Sequence, residues 1–501
     1  MPKRLYIQTV GCQMNVLDSE LLAGDLLRAG YELVDSVRHA DTILLNTCSV
    51  RQHAEDKIYS TLGRLKEVKQ RRPGTIIGVL GCMAQKDQHQ IFKRAPHVDL
   101  VVGPGQLGQL PSLLQQVAAG SGPLIEVSLD RTGGNRASVQ QSFVQFEPNR
   151  TAQARPAPHQ AMVRIMFGCD KFCTYCIVPS VRGPEQSRPA AEIVDEVHRL
   201  ADDGCLEVTL LGQTVNSYLD TAGGQTVRLS DLLGKLQNIE GIRRLKFVSN
   251  YPKHITTDLL EAVRDLPKVS PYLHIPAQSG ANAVLQRMKR GYTVESYREM
   301  LGRIREMIPH VVITSDFIVG FCGETEDDFQ QTVALVRDAR FRNSFIFKYS
   351  ARPGTKAAEL YADDVLESVK RRRNNDLLDL QDAICLEDSL PYLGRTVEIL
   401  VEGPSKVAKK RDQEIVSPKK VRGAIAARPH PDPRPAGEED TVQLVGRTVC
   451  DRIVVFDGPR ELTGRILQVL IEKIDAFTLF GRPVVDIDCH KSGHDSGLGK
   501  K

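Results

Sequence analysis

Three times in the first hundred residues, a short apolar run ends at a cysteine and gives way to a helical pattern. Residues 5–10 (LYIQTV) end in Gly11-Cys12, residues 42–45 (TILL) in Asn46-Thr47-Cys48, and residues 75–80 (TIIGVL) in Gly81-Cys82. Amphipathic patterns follow the first two, running through Asp18-Ser19-Glu20-Leu21-Leu22 to Leu27 and over residues 53–68. The cysteines lie 36 and then 34 residues apart, about the length of one β-α-β unit. Right-handed helical crossovers make the joined strands parallel, so the carboxyl ends of all three meet on one edge of a sheet. The repeat therefore predicts that Cys12, Cys48 and Cys82 converge as a three-thiolate site, the alternative being three ordinary buried cysteines. Residues 97–102, followed by Gly103-Pro104-Gly105, add a strand and close a first domain over 3–119.

Residues 120–160 lose this periodicity to Gly, Pro, Gln, Ser and Arg and read as a linker, with one edge strand at 143–146. From Met162 onward, six strand candidates alternate with helical patterns: 163–167, 207–211, 244–249, 272–275, 311–317 and 345–349. Six β-α units imply a parallel, partly closed (β/α)6 barrel over 161–388, with its function at the carboxyl ends of the strands.

The first of these strands runs directly into Gly168-Cys169-Asp170-Lys171-Phe172-Cys173-Thr174-Tyr175-Cys176. Three thiols in a C-x-x-x-C-x-x-C arrangement can grip one [4Fe–4S] cubane and leave its fourth iron open to a chelating amine and carboxylate. A zinc site or a structural disulfide are the alternatives, although zinc ordinarily takes four protein ligands and no fourth is evident nearby. The other strand ends carry polar residues on the same rim: Gln213 and Asn216, Ser249 and Asn250, Gln278-Ser279-Gly280, Asp316 with Ile318, and Arg352. Singly they read as caps and turn formers; ringed around an open iron, they are candidates to hold the ribose, amino and carboxylate groups of a nucleoside cofactor. Tyr175 offers an aromatic face to adenine, or packs as a core aromatic.

Past the basic run Lys370-Arg371-Arg372-Arg373, the pattern changes to strands without crossovers at 395–402, 441–445, 452–456 and 464–474. They predict a small antiparallel β-barrel over 391–474, interrupted by a segment at 405–437. Net charge is +4, but residues 405–434 hold nine Lys and Arg against three Asp and Glu, a local +6 that leaves about −2 for the rest. Small barrels with basic loops bind nucleic acid, and a basic run is also simply a solvated loop. The final residues, 489–501, read as a disordered tail.

At 501 residues, the chain is too long for a single core. No signal peptide and no apolar run of spanning length is legible, so a cytoplasmic address without a membrane partner is expected. In that reducing compartment, the eleven cysteines are metal ligands or free thiols rather than disulfides.

Gly11-Cys12-Gln13-Met14-Asn15, Leu45-Asn46-Thr47-Cys48-Ser49-Val50-Arg51, Gly81-Cys82 and the C-x-x-x-C-x-x-C loop, in this order with a terminal barrel, resemble the radical S-adenosylmethionine (SAM) methylthiotransferases. Leu-His-Ile-Pro-Ala-Gln-Ser-Gly (273–280), Asp-Phe-Ile-Val-Gly-Phe (316–321) and Ser-Ala-Arg-Pro-Gly-Thr (350–355) are similar to family motifs too. The residues after Cys12 and Cys48 look like the branch that modifies isopentenyladenosine in tRNA. Cys322 departs from the family, standing where a proline usually precedes Gly-Glu-Thr.

The resemblance implies two [4Fe–4S] clusters, an auxiliary one on Cys12, Cys48 and Cys82 and a SAM-cleaving one on Cys169, Cys173 and Cys176. It implies SAM contacts from the rim, namely Tyr175, Gln213, Asn216, Ser249, Gln278, Asp316, Ile318 and Arg352, and a tRNA-binding TRAM barrel. It also implies transfer of a methylthio group to C2 of N6-isopentenyladenosine, 3′ of the anticodon, with two SAM and an auxiliary-cluster sulfur. An electron donor such as flavodoxin or ferredoxin and a sulfur or cluster donor complete the expected partners. The other classes weighed are the same chemistry on threonylcarbamoyladenosine or a ribosomal-protein aspartate, and a non-catalytic RNA-binding redox sensor.

Overall fold

A computed structural model describes residues 2–49, 52–128, 155, 157–222, 224–409 and 441–484. The expected edge strand at 143–146, most of the basic insertion and the tail lie outside these residues. The chain divides into two compact units, residues 1–385 and 386–501.

The first unit opens with a six-stranded parallel sheet, built from β1 (Lys3–Val10), β2 (Tyr31–Leu33), β3 (Thr42–Thr47), β4 (Ile76–Gly81), β5 (Leu100–Val102) and β6 (Leu124–Glu126) in the order β2-β1-β3-β4-β5-β6. All six residues of β3 and of β4 are buried, as strands covered by helices on both faces must be. Alternate side chains go to opposite layers. Leu44, Leu80 and Leu100 pack with Leu17, Leu21 and Leu22 of helix α1 (Gln13–Arg28), while Ile43, Ile77 and Val79 pack with Ile58, Leu62 and Leu65 of helix α2 (Gln52–Arg71). The sheet continues past the expected boundary at 119: β6 pairs in parallel with β5 inside the stretch read as linker. At three residues, this strand is too short for its alternation to register in sequence.

The same unit continues into two three-stranded parallel sheets. Gln160–Arg164, Glu207–Leu211 and Arg244–Phe247 form one, and Tyr272–His274, Val312–Val319 and Asn343–Lys348 the other. All six expected strands are present. The ladder is interrupted between the third and fourth, where the contacts are an isolated bridge from Leu245 to Val269, ahead of the fourth strand, and Asn250 N–H, beyond the third strand, donating to the His274 carbonyl at 3.1 Å.

The second unit carries a closed five-stranded barrel, Thr396–Pro404, Thr441–Thr448, Ile453–Pro459, Thr478–Pro483 and Ile466–Ile474 in spatial order. Its core includes Ile399, Val401, Leu444, Val454, Val469 and Leu479. Two expectations are corrected here. The barrel extends beyond 474 to a fifth strand, Thr478–Pro483, and that strand closes it by pairing in parallel with Ile453–Pro459, whereas the other four pairings are antiparallel. Among the described residues, no helix is long and apolar enough to cross a membrane.

Candidate functional site: two cysteine triads

The register of the first sheet aligns the cysteines. Val10 lies opposite Thr47 on β3, and Thr47 lies opposite Gly81 on β4, so Cys12, Cys48 and Cys82 each follow one common edge. Gly81 takes φ +90°, and a side chain there would collide with Asn46 and the Thr47 carbonyl; the turn that delivers Cys82 requires glycine. Two fully buried asparagines tie the loops together. Asn15 donates from Nδ2 to Asn46 Oδ1 and the Thr47 carbonyl, both at 3.2 Å, and Asn46 donates back to the Asn15 carbonyl at 2.8 Å and to Ser19 Oγ at 2.9 Å. Cys12 Sγ lies 3.2 Å from Asn15 Oδ1. The Gln-Met-Asn and Asn-Thr stretches beside the cysteines therefore fix where those cysteines stand.

The electrostatics link Cys12 to each of the other two thiols. Cys12 is exposed, and its pKa is lowered to about 5, first by a hydrogen bond from Cys48 and further by the charge of Arg182. Cys82 is buried, which pushes its thiol up, while Arg182 opposes the shift through charge and a hydrogen bond. Arg182 is itself buried and donates from Nη2 to Asp18 Oδ2 at 2.9 Å; the second oxygen of Asp18 faces Arg164 Nη2 at 3.0 Å.

The second triad follows the strand Gln160–Arg164. Gly168 at φ +62° turns the chain where a side chain would strike the Pro184 carbonyl. Thr174 pins the loop, its N–H donating to the Met288 carbonyl at 3.1 Å and its hydroxyl to the Arg287 carbonyl at 2.8 Å. Burial holds the Cys169 thiol up at about 11 and that of Cys176 at about 12, the neighbouring Cys173 adding to both. Arg290, buried between the rings of Tyr251 and Tyr292 at 5.4 and 5.3 Å, donates from Nη1 to Cys173 Sγ at 3.2 Å and to Tyr175 Oη at 3.4 Å.

The two triads adjoin. Cys82 packs against Ile177 and Val181, in the segment directly after Cys176. Arg352 donates from Nη1 to the carbonyl of Ser49, next to Cys48, and both Cys48 and Cys176 act on its charge.

Three thiolates per site suit a cubane, in which each sulfur takes a different iron and need not close on one point. Among the described residues, no group of three His, Cys, Asp or Glu side chains is gathered to hold a single metal ion.

The rim residues divide. Tyr175 and Ile318 pack against one small cluster with Phe321, Tyr349 and Cys322, so the unexpected thiol is buried beneath the rim. Asp316 faces His274 Nε2 at 3.4 Å. Gln278 bridges Val312–Val319 through its backbone, bonded to Asp316 and Ile318, and Ser249 takes φ +72° while its carbonyl accepts from Val215 N–H. Gln213 is half-buried in the turn after Glu207–Leu211. Asn216 is committed to structure: its Oδ1 accepts from Tyr251 N–H at 2.7 Å and its Nδ2 donates to the Tyr251 carbonyl at 2.9 Å. Sequence reasoning missed Asp18, Arg164, Arg182 and Arg290. Their partners lie too far along the chain for any local pattern to mark them.

Comparison with known proteins matches the chain in two separate stretches. Residues 4–103 match the uncharacterized protein family UPF0004 and residues 163–336 the radical SAM superfamily. A tRNA-2-methylthio-N(6)-dimethylallyladenosine synthase of Rhodopirellula baltica is 53% identical, over 96% of this chain and 96% of its own length. Proteins of the same name from Delftia acidovorans and Haemophilus influenzae are 41% and 38% identical over 97% of this chain. Among solved structures, the radical SAM methyltransferase TsrM of Kitasatospora setae superposes with a TM-score of 0.52 at 13% identity, covering 71% of this chain and 75% of its own; it shares the fold.

Proposed function

This chain belongs to the tRNA-2-methylthio-N(6)-dimethylallyladenosine synthases, and on that premise we propose that it installs a methylthio group at C2 of N6-isopentenyladenosine in tRNA, with SAM and two [4Fe–4S] clusters. The carrying observation is the adjacency of two cysteine triads in one compact unit. Cys169, Cys173 and Cys176 would hold one cluster, and Cys12, Cys48 and Cys82 the other. Each donor set leaves one iron free of protein ligands, which suits one site to the amine and carboxylate of SAM and the other to an exchangeable sulfur.

Bound at the second triad, a reduced cluster supplies the electron that cleaves SAM and so gives access to an aromatic C–H too weakly acidic for a general base. The chain's own residues do the rest. Arg290 lays a permanent positive charge on Cys173, and Thr174 fixes the loop that presents the cysteines. Asn15 and Asn46 hold the first triad at its sheet edge. The closed barrel is the candidate tRNA-binding unit, and an electron donor, such as flavodoxin or ferredoxin, and a sulfur or cluster donor are the chain's proposed partners.

Nucleoside mass spectrometry of tRNA from a deletion strain, with and without the gene restored, tests this reading. Loss of 2-methylthio-isopentenyladenosine and its return on complementation are expected. An unchanged level, or loss of a threonylcarbamoyladenosine derivative instead, would overturn it.

A further inference from the structure

Arg182 stands in the short helix Val178–Arg182, which begins two residues after Cys176, yet its charge is spent on the other triad. It is buried, as are the two groups nearest it in the ion pairs, Asp18 and Arg164. A buried guanidinium is tolerated only when anions face it. Asp18 carries one negative charge and divides it, Oδ2 to Arg182 at 2.9 Å and Oδ1 to Arg164 at 3.0 Å. Besides Asp18, the charges that bear on Arg182 include the sulfurs of Cys82 and Cys12. Val181, beside it, packs on Cys82.

Three thiolates around a [4Fe–4S] core bear net negative charge, which grows by one on reduction. A buried cation beside a ligand sulfur therefore stabilises the reduced form, local charge being among the features that set a cluster's potential. The carboxylate of Asp18 acts in the opposite sense.

We propose that Arg182 is the resident counter-charge of the cluster held by Cys12, Cys48 and Cys82, and that Asp18 attenuates it. Because Arg182 rides on the helix that follows Cys176, the same contact makes the first cluster's potential depend on how the second cluster's loop is seated. Arg182 is a positioning residue in this role and touches no substrate. The inference rests on the reading that the first triad holds a cluster.

The test is a spectroscopic redox titration of the full chain carrying Cys169→Ala, Cys173→Ala and Cys176→Ala, so that only the first triad can load. In that background, Arg182→Gln should lower the midpoint potential, Arg182→Lys should recover part of the shift, and Asp18→Asn should raise the potential. Opposite signs from two neighbours in one ion pair are an electrostatic signature that a merely structural role would not give. If Arg182→Gln fails to load, the Asp18→Asn and Arg182→Lys shifts still decide. Unmoved potentials, or shifts of one sign for Arg182→Gln and Asp18→Asn, would overturn the proposal while leaving the cluster reading intact. Absence of any iron in the cysteine-substituted parent would overturn both.

Discussion

Arg290 Nη1 lies 3.2 Å from Cys173 Sγ, and the guanidinium is held there by Tyr292 Oη and by the Pro276 carbonyl, which accepts from Nη2. A permanent cation bonded to one cysteine of the second triad would favour the reduced form of a cluster held there. Arg290→Met should cut 5′-deoxyadenosine formation by roughly 10- to 100-fold, the usual effect of losing such an outer partner, while iron bound by the first triad stays unchanged. Equal loss of iron from both triads would show a general folding defect instead.

The triads should differ in thiol chemistry in the metal-free protein. The pKa of Cys12 is lowered to about 5, so its thiolate is present throughout the neutral range and is lost only as pH falls through that value. Cys169 and Cys176, raised to about 11 and about 12, remain thiols until strongly alkaline pH. Iodoacetamide at neutral pH should therefore label Cys12 first, at a rate nearly flat above about pH 6 because the thiolate fraction has saturated. Mass spectrometry of the labelled peptides reads this. A Cys12 rate that climbs tenfold per pH unit up to pH 8 would contradict the shift.

Anaerobic reconstitution should yield about eight irons per chain, and Cys48→Ala and Cys173→Ala about four each. About four in the unaltered chain would mean that the first triad holds no cubane.

Much of the first triad's placement is legible in the amino-acid sequence alone. The 36- and 34-residue spacing of Cys12, Cys48 and Cys82 carries positional information, because parallel strands with helical crossovers put their carboxyl ends on one edge. The register from Val10 through Thr47 to Gly81 is that prediction realised. Short or irregular elements escape such reasoning. Leu124–Glu126 is three residues long, and Thr478–Pro483, carrying Gly481 and Pro483, has the composition of a loop. Side-chain pairing escapes it for another reason: Arg182 and Asp18 are 164 residues apart, and no periodicity links them. Asn216 illustrates the converse, a polar residue at the expected place whose amide is turned onto the Tyr251 backbone.

The barrel can be tested by itself. Leu444 is fully buried in its core, and Leu444→Ala should cost roughly 2–5 kcal/mol there. Binding of the anticodon stem-loop, measured by filter retention, should weaken, while SAM cleavage assayed without tRNA persists. Undiminished tRNA affinity in a variant whose barrel has melted would remove this unit from tRNA recognition.

Adjoining triads that do separate work should be separable by Cys48→Ala. With isopentenylated tRNA, SAM and reductant, the reconstituted variant should still release 5′-deoxyadenosine but form no 2-methylthio-isopentenyladenosine. Loss of both products with the second cluster still bound, or retention of both, would show that the triads do not divide the work.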